Sequence, residues 1–213
     1  MQRPAPSADD GAASMLRRLL ATDGSAAHRH VDCLASRRAG ARDLGDALHA
    51  LCAVHGHHPD LLTVAAGLAT GTAERAWLLA AADAFGAERA TLARLVAAAG
   101  PLPSTPGQAI TEAALSHERH ALEMLARSER GGVALGAAAA LVGDWAAIRP
   151  VLARAADHFG VAIAGSTLPD VDTLPAAAAA LERAIAFGAQ QLLAQHRGLW
   201  GILEARASAR LHG

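Results

Sequence analysis

AERAWLLAAADAFGAERATLARLVAAA, residues 73–99, decides the fold class. Its large apolar residues Leu78, Phe85, Leu92 and Val96 recur at sevens and fours, with Ala81 between the first two. That spacing aligns them along one face of a helix and cannot alternate across a strand. The run stops at Gly100-Pro101-Leu102-Pro103, where proline removes the backbone donors a helix needs.

Outward from this segment the same period of 3.6 recurs almost everywhere. It predicts helices near residues 11–22, 25–38, 43–55, 59–68, 73–99, 106–128, 132–147, 148–159 and 175–208. No alternating β-branched run competes, so the chain reads as all-α, a single-domain helical bundle of long antiparallel helices with short connecting ones. Thr72 is a candidate cap for the helix at 73–99, and Thr105-Pro106 pairs a capping hydroxyl with a proline at the first helical position. His58-Pro59 and Thr173-Leu174-Pro175 are similar starts, and Pro150 is expected to kink or break the run from Leu141 to Phe159. Residues 1–10 read as a disordered leader before a domain at 11–213, and residues 160–174 as the longest non-helical crossing. Gly131, Gly132, Gly136 and Gly143 punctuate an alanine-rich helix, which implies close helix packing rather than a phosphate loop.

Composition narrows the chemistry. All 19 basic residues are arginine, and lysine, tyrosine and asparagine are absent. No Schiff-base lysine, tyrosine acid or asparagine oxyanion donor is therefore available. A formal net charge of −1 gives no electrostatic reason to expect nucleic acid or an anionic membrane as partner. Two cysteines, Cys33 and Cys52, are too few for a disulfide scaffold and read as small buried hydrophobes. With no apolar signal core at the start and no uncharged run of membrane-spanning length, the default location is cytoplasmic. No serine elbow or activated thiol stands out.

The inward polar residues carry the functional reading. On residues 43–55, Leu44, Leu48, Leu51 and Cys52 mark the stripe, with His55 near its centre. On 73–99, Glu88 lies within the stripe. On 106–128, Ile110, Ala114, Ala121, Leu122 and Leu125 mark it, with Glu118 inside and His117 on its shoulder. On 175–208, His196 is central; on 132–147, Asp144 is on the shoulder beside Trp145. His55-Gly56-His57-His58-Pro59 reads as a surface turn, and His28 and His30 as a solvated face.

In helix number and length this layout resembles the ferritin-like and haem-oxygenase-like bundles. The ferritin-like Glu-x-x-His motif is missing, since no glutamate here has histidine three residues on. Residues 100–108 and 187–200 are similar to segments of an uncharacterised bacterial helical family, a resemblance that implies no activity.

Two expectations follow. Buried charges need partners or a metal, and bundle interiors are where carboxylate–histidine sites are built. Glu88, Glu118, His196, His55 and His117 would suit iron, manganese or zinc with redox or oxygen chemistry. The other expectation is a non-catalytic interaction or regulatory module, self-associating or binding a protein partner, whose inward residues form a structural polar layer fixing helix register.

Overall fold

The computed structural model describes residues 11–102, 107–175 and 179–212, and it is all-α. Eight helices follow in order: α1 (Gly11–Asp23), α2 (Arg29–Ala35), α3 (Ala41–His55), α4 (Leu61–Leu68), α5 (Thr72–Ala99), α6 (Gln108–Ala126), α7 (Val133–Phe159) and α8 (Ala179–His212). Short 3₁₀ turns at Ser25–Ala27 and Val171–Thr173 complete them, and no strand occurs among the described residues. The expected leader at 1–10 and the Thr105-Pro106 start lie outside the described residues.

α7 is the axis of the bundle and packs against each of the other seven helices. Every residue from Leu135 to Val142 is buried, so this segment is apolar all round because it is covered all round. The expected break at Pro150 does not occur: α7 runs through it as one helix of 27 residues. The missing N–H removes one rung of the ladder, while Ile148, Val151 and Leu152 on either side are fully buried. Tertiary packing overrides the local cost. Read as one piece, α7 is long and apolar enough to cross a membrane by length and composition, with 72% of its most apolar window buried inside the bundle.

α7 and α8 approach most closely where two glycines meet. A methyl on Gly136 would overlap the backbone of Ile185, and one on Gly188 would overlap the carbonyl of Val133. Backbone cannot swing aside as a side chain does. We therefore expect Gly136→Ala and Gly188→Ala each to cost roughly 1–3 kcal/mol in denaturant titration. A loss below about 0.5 kcal/mol, the range of ordinary surface substitutions, would mean that the helices do not cross here.

Other differences are local. Gly71, not Thr72, caps α5, and α4 opens at Leu61 with the Asp60 carboxylate accepting from Thr63 N at 2.7 Å. The helix expected over 25–38 is a 3₁₀ turn followed by a short α2. Cys33 is exposed and Cys52 half-buried, not core residues. His30 is buried rather than on a solvated face, and the His28 side chain caps α2. Gly100, at φ 76°, ends α5 in a conformation only glycine adopts without strain.

Candidate functional site

Three of the buried polar residues form one continuous chain. Asp144, on the fourth turn of α7, faces α8 and the Ser25 turn. His196 donates from Nδ1 to Asp144 Oδ2 at 2.6 Å, and its Nε2 meets Nε2 of His55 at 3.1 Å. His55 is the last residue of α3. All three side chains are at most 5% exposed.

Asp144 is further tied to the Ser25 turn. Ser25 N donates to Oδ1 at 2.6 Å and Ser25 Oγ to Oδ2 at 2.5 Å, while Trp200 Nε1 donates to Ser25 Oγ at 2.8 Å. Gly24 lets the turn come this near, since a methyl there would sit 2.7 Å from Asp144 Oδ1. Burial pushes the Asp144 carboxyl up. The hydrogen bond and charge of His196 and the two bonds from Ser25 outweigh it, so the net shift is downward and the group stays ionised.

The opposite end of the chain behaves differently. Burial, and then the like charge of His196, hold the His55 imidazole well below its ordinary value, so it is neutral. It is packed edge-on by Phe85, Trp145 and the His196 ring, with centroids 6.2, 5.5 and 5.0 Å away. Nδ1 of His55 has no hydrogen-bond partner among the described residues. The residue forms part of the wall of a cavity of about 250 Å³ between the α3–α4 connection and α6. Phe85 and Leu122 provide apolar walls, and His57, His58, Arg119 and Arg127 surround the rim.

With Asp144 ionised, Nδ1 of His196 carries its proton. One further proton then lies on the edge between the two imidazoles. When it sits on His55, Nδ1 of His55 is a free acceptor. Uptake of a proton at Nδ1 from elsewhere lets the Nε2 proton pass to His196, so that His55 stays neutral and the new imidazolium faces the Asp144 carboxylate. The arrangement can therefore receive a proton at the cavity wall and balance the resulting charge inside the protein.

The remaining expected ligands stand apart. Glu88 accepts from Trp145 Nε1 at 3.1 Å and from Arg149 Nη1 at 3.0 Å, the latter a buried ion pair. Glu118, on α6, lies against Gly198, where a methyl would sit 2.6 Å from Oε1. Its Oε2 has no hydrogen-bond partner among the described residues, and burial pushes the carboxyl up to about 7. His117 is exposed, because α6 is rotated from the expected stripe: Leu115, Glu118, Leu122 and Ala126 face inward while Ile110 is 77% exposed. Of the five expected ligands, only His55 and His196 come together. No group of three His, Cys, Asp or Glu side chains among the described residues is placed to hold a metal.

Sequence reasoning passed over Asp144, Ser25 and Trp200 as site residues. Asp144 had a signal, a carboxylate on the shoulder of the most apolar helix. Ser25 had none, because it joins the site only through the tertiary position of its turn. Trp145 and Trp200 are fully buried, and each uses its indole N–H on a polar partner.

A family model of unknown function, DUF6975, matches residues 20–211. The chain belongs to that family. The match spans every residue of the Asp144–His196–His55 chain and of the cavity wall. Neither the comparison with curated proteins nor that with solved structures yields a match. No relationship to ferritin-like or haem-oxygenase-like proteins is shown.

Proposed function

We propose that this DUF6975 chain is a helical bundle with an internal acid–base site, in which neutral His55 exchanges a proton with a small molecule held in the adjoining cavity. The observation that carries the reading is the unbroken Asp144–His196–His55 chain, at 2.6 and 3.1 Å, which runs from a fully bonded carboxylate to the cavity wall. His55 is the residue that meets the ligand. His196 and Asp144 are positioning residues that set its tautomer and absorb charge. Redox or oxygen chemistry at a metal draws no support from the separated positions of Glu88, Glu118 and His117.

A second reading rests on the completeness of Asp144's bonding: both oxygens are satisfied by Ser25 and His196, as a layer that only fixes register would require. Acylation of the imidazoles by diethyl pyrocarbonate, mapped by fragmentation mass spectrometry, separates the two. The acid–base reading expects His55 to be modified at a rate that persists below pH 6.5, because its ring stays neutral there, and to slow in Asp144→Asn. A His55 that stays inert while His57 and His58 react would leave the register-fixing layer as the correct account.

A further inference from the structure

We infer that the cavity beside His55 takes a small organic anion, a carboxylate or phosphate monoester with a short apolar body, clamped at its head by Arg119 and Arg127. This names the ligand class for the acid–base site and rests on that reading for what happens at His55.

The rim is basic by construction. Arg119 and Glu123 on α6 and Arg127 at its C-cap are spaced four residues apart, and all three line the cavity. Of the two carboxylates there, Asp60 is already committed to Arg89 in a buried ion pair. Glu123 lies between the two arginines but reaches neither well. Its oxygens are 3.8 Å from Arg119 Nε and 3.9 Å from Arg127 Nη1, beyond the roughly 2.7–2.9 Å of a charge-assisted hydrogen bond. It neutralises one positive charge and leaves guanidinium donors free for a better-fitting acceptor. Arg119 Nη1 is held at 3.0 Å from His57 Nε2, which steadies it at the rim. A planar carboxylate or a phosphate presents the acceptor geometry such donors match.

Below the rim the walls turn apolar. Phe85, Leu122 and Ala126 line the way to His55. At about 30 Å³ per water-sized group, a volume of about 250 Å³ suits a ligand of a few carbons beyond its head group. An anion held at the mouth would thus have its uncharged end within reach of a neutral imidazole, the arrangement that proton transfer at a carbon or hydroxyl of the body needs.

Calorimetric titration of the full chain at low salt tests this with hexanoate, hexanamide and inorganic phosphate as probes. The expected result is that hexanoate binds at least about tenfold more tightly than hexanamide, and that Arg119→Gln and Arg127→Gln each abolish that preference. Glu123→Gln should tighten hexanoate binding, because it removes the competing carboxylate. The arginines are partly exposed, and unchanged melting temperatures confirm that the variants fold. Phosphate binding with the same arginine dependence assigns the head group to phosphate; hexanoate alone assigns it to carboxylate. Equal binding of hexanoate and hexanamide, no binding of any probe, or hexanoate binding indifferent to both arginine variants overturns the inference. Hexanoate should also protect His55 from acylation. Arginine-dependent binding with an inert His55 would leave the anion site standing and remove the acid–base reading.

Discussion

Replacing Asp144 with alanine lowers the stability of this protein by about 3–5 kcal/mol, because three buried hydrogen-bond donors lose their acceptor at about 1–3 kcal/mol each. The carboxylate accepts three hydrogen bonds, from Ser25 N, Ser25 Oγ and His196 Nδ1. Its loss leaves those donors in a site where His196 is 2% exposed and Ser25 wholly buried, so water cannot replace it without opening the bundle. For a chain of this size each kcal/mol corresponds to roughly 2–4 °C, so the melting temperature should fall by about 6–20 °C. Ser25→Ala removes a hydroxyl but keeps the backbone donor, and should cost only about 1 kcal/mol. A loss of under about 1 kcal/mol for Asp144→Ala would show that the carboxylate is not buried as described. The location of Asp144 explains the size of the effect: it stitches α7 to both α8 and the Ser25 turn, so one side chain secures three segments.

Glu118→Gln moves stability in the other direction, by an amount that grows as pH rises from 4.5 to about 7. Burial raises the folded-state pKa of Glu118 from 4.5 to about 7. The folded state therefore holds this proton more tightly than the unfolded chain. The stability that this proton binding contributes is fully present below pH 4.5 and is lost as pH rises to about 7. At about 1.4 kcal/mol per pKa unit the full effect is about 3.5 kcal/mol, reduced to about 2 kcal/mol by partial solvent screening. Glutamine has the same shape and no charge. At pH 8 the variant should melt about 4–8 °C above wild type, and at pH 4.5 the two should coincide. An equal or lower melting temperature at pH 8 would mean that Glu118 has found a cation or a ligand. Among the described residues its Oε2 has no partner.

His55 supplies the opposite sign. Its folded-state pKa is depressed, so the stability it contributes is present above pH 6.5 and declines as pH falls below that value. The two groups together leave wild type most stable in mildly acidic to neutral solution, and Glu118→Gln should extend that range upward only.

The all-α class was determined by the sequence alone, because a period of 3.6 over segments as long as residues 73–99 has no strand interpretation. Burial of His55, Glu88, Glu118 and His196 was legible for the same reason: each sits in an apolar stripe, and a stripe reports direction about its own helix axis. The glycine crossing of α7 and α8 was legible as small residues, though not as to which helix they meet. What the stripe lacks is depth along the axis and the identity of the facing helix. Glu88, Glu118 and His196 all point inward, yet only His196 reaches His55, while Glu88 is bonded to Trp145 and Arg149 of α7. The α6 stripe was misjudged because its marker Ile110 is exposed near the helix start, which turned His117 inward on paper and outward in space. Pro150 breaks a helix in isolation, but in the bundle α7 is enclosed by seven neighbours whose packing outweighs one lost hydrogen bond. The hydrogen-bonded chain itself was decided only by the tertiary structure. Its members lie 119, 52 and 141 residues apart along the chain, and no local interaction can signal contacts across such separations.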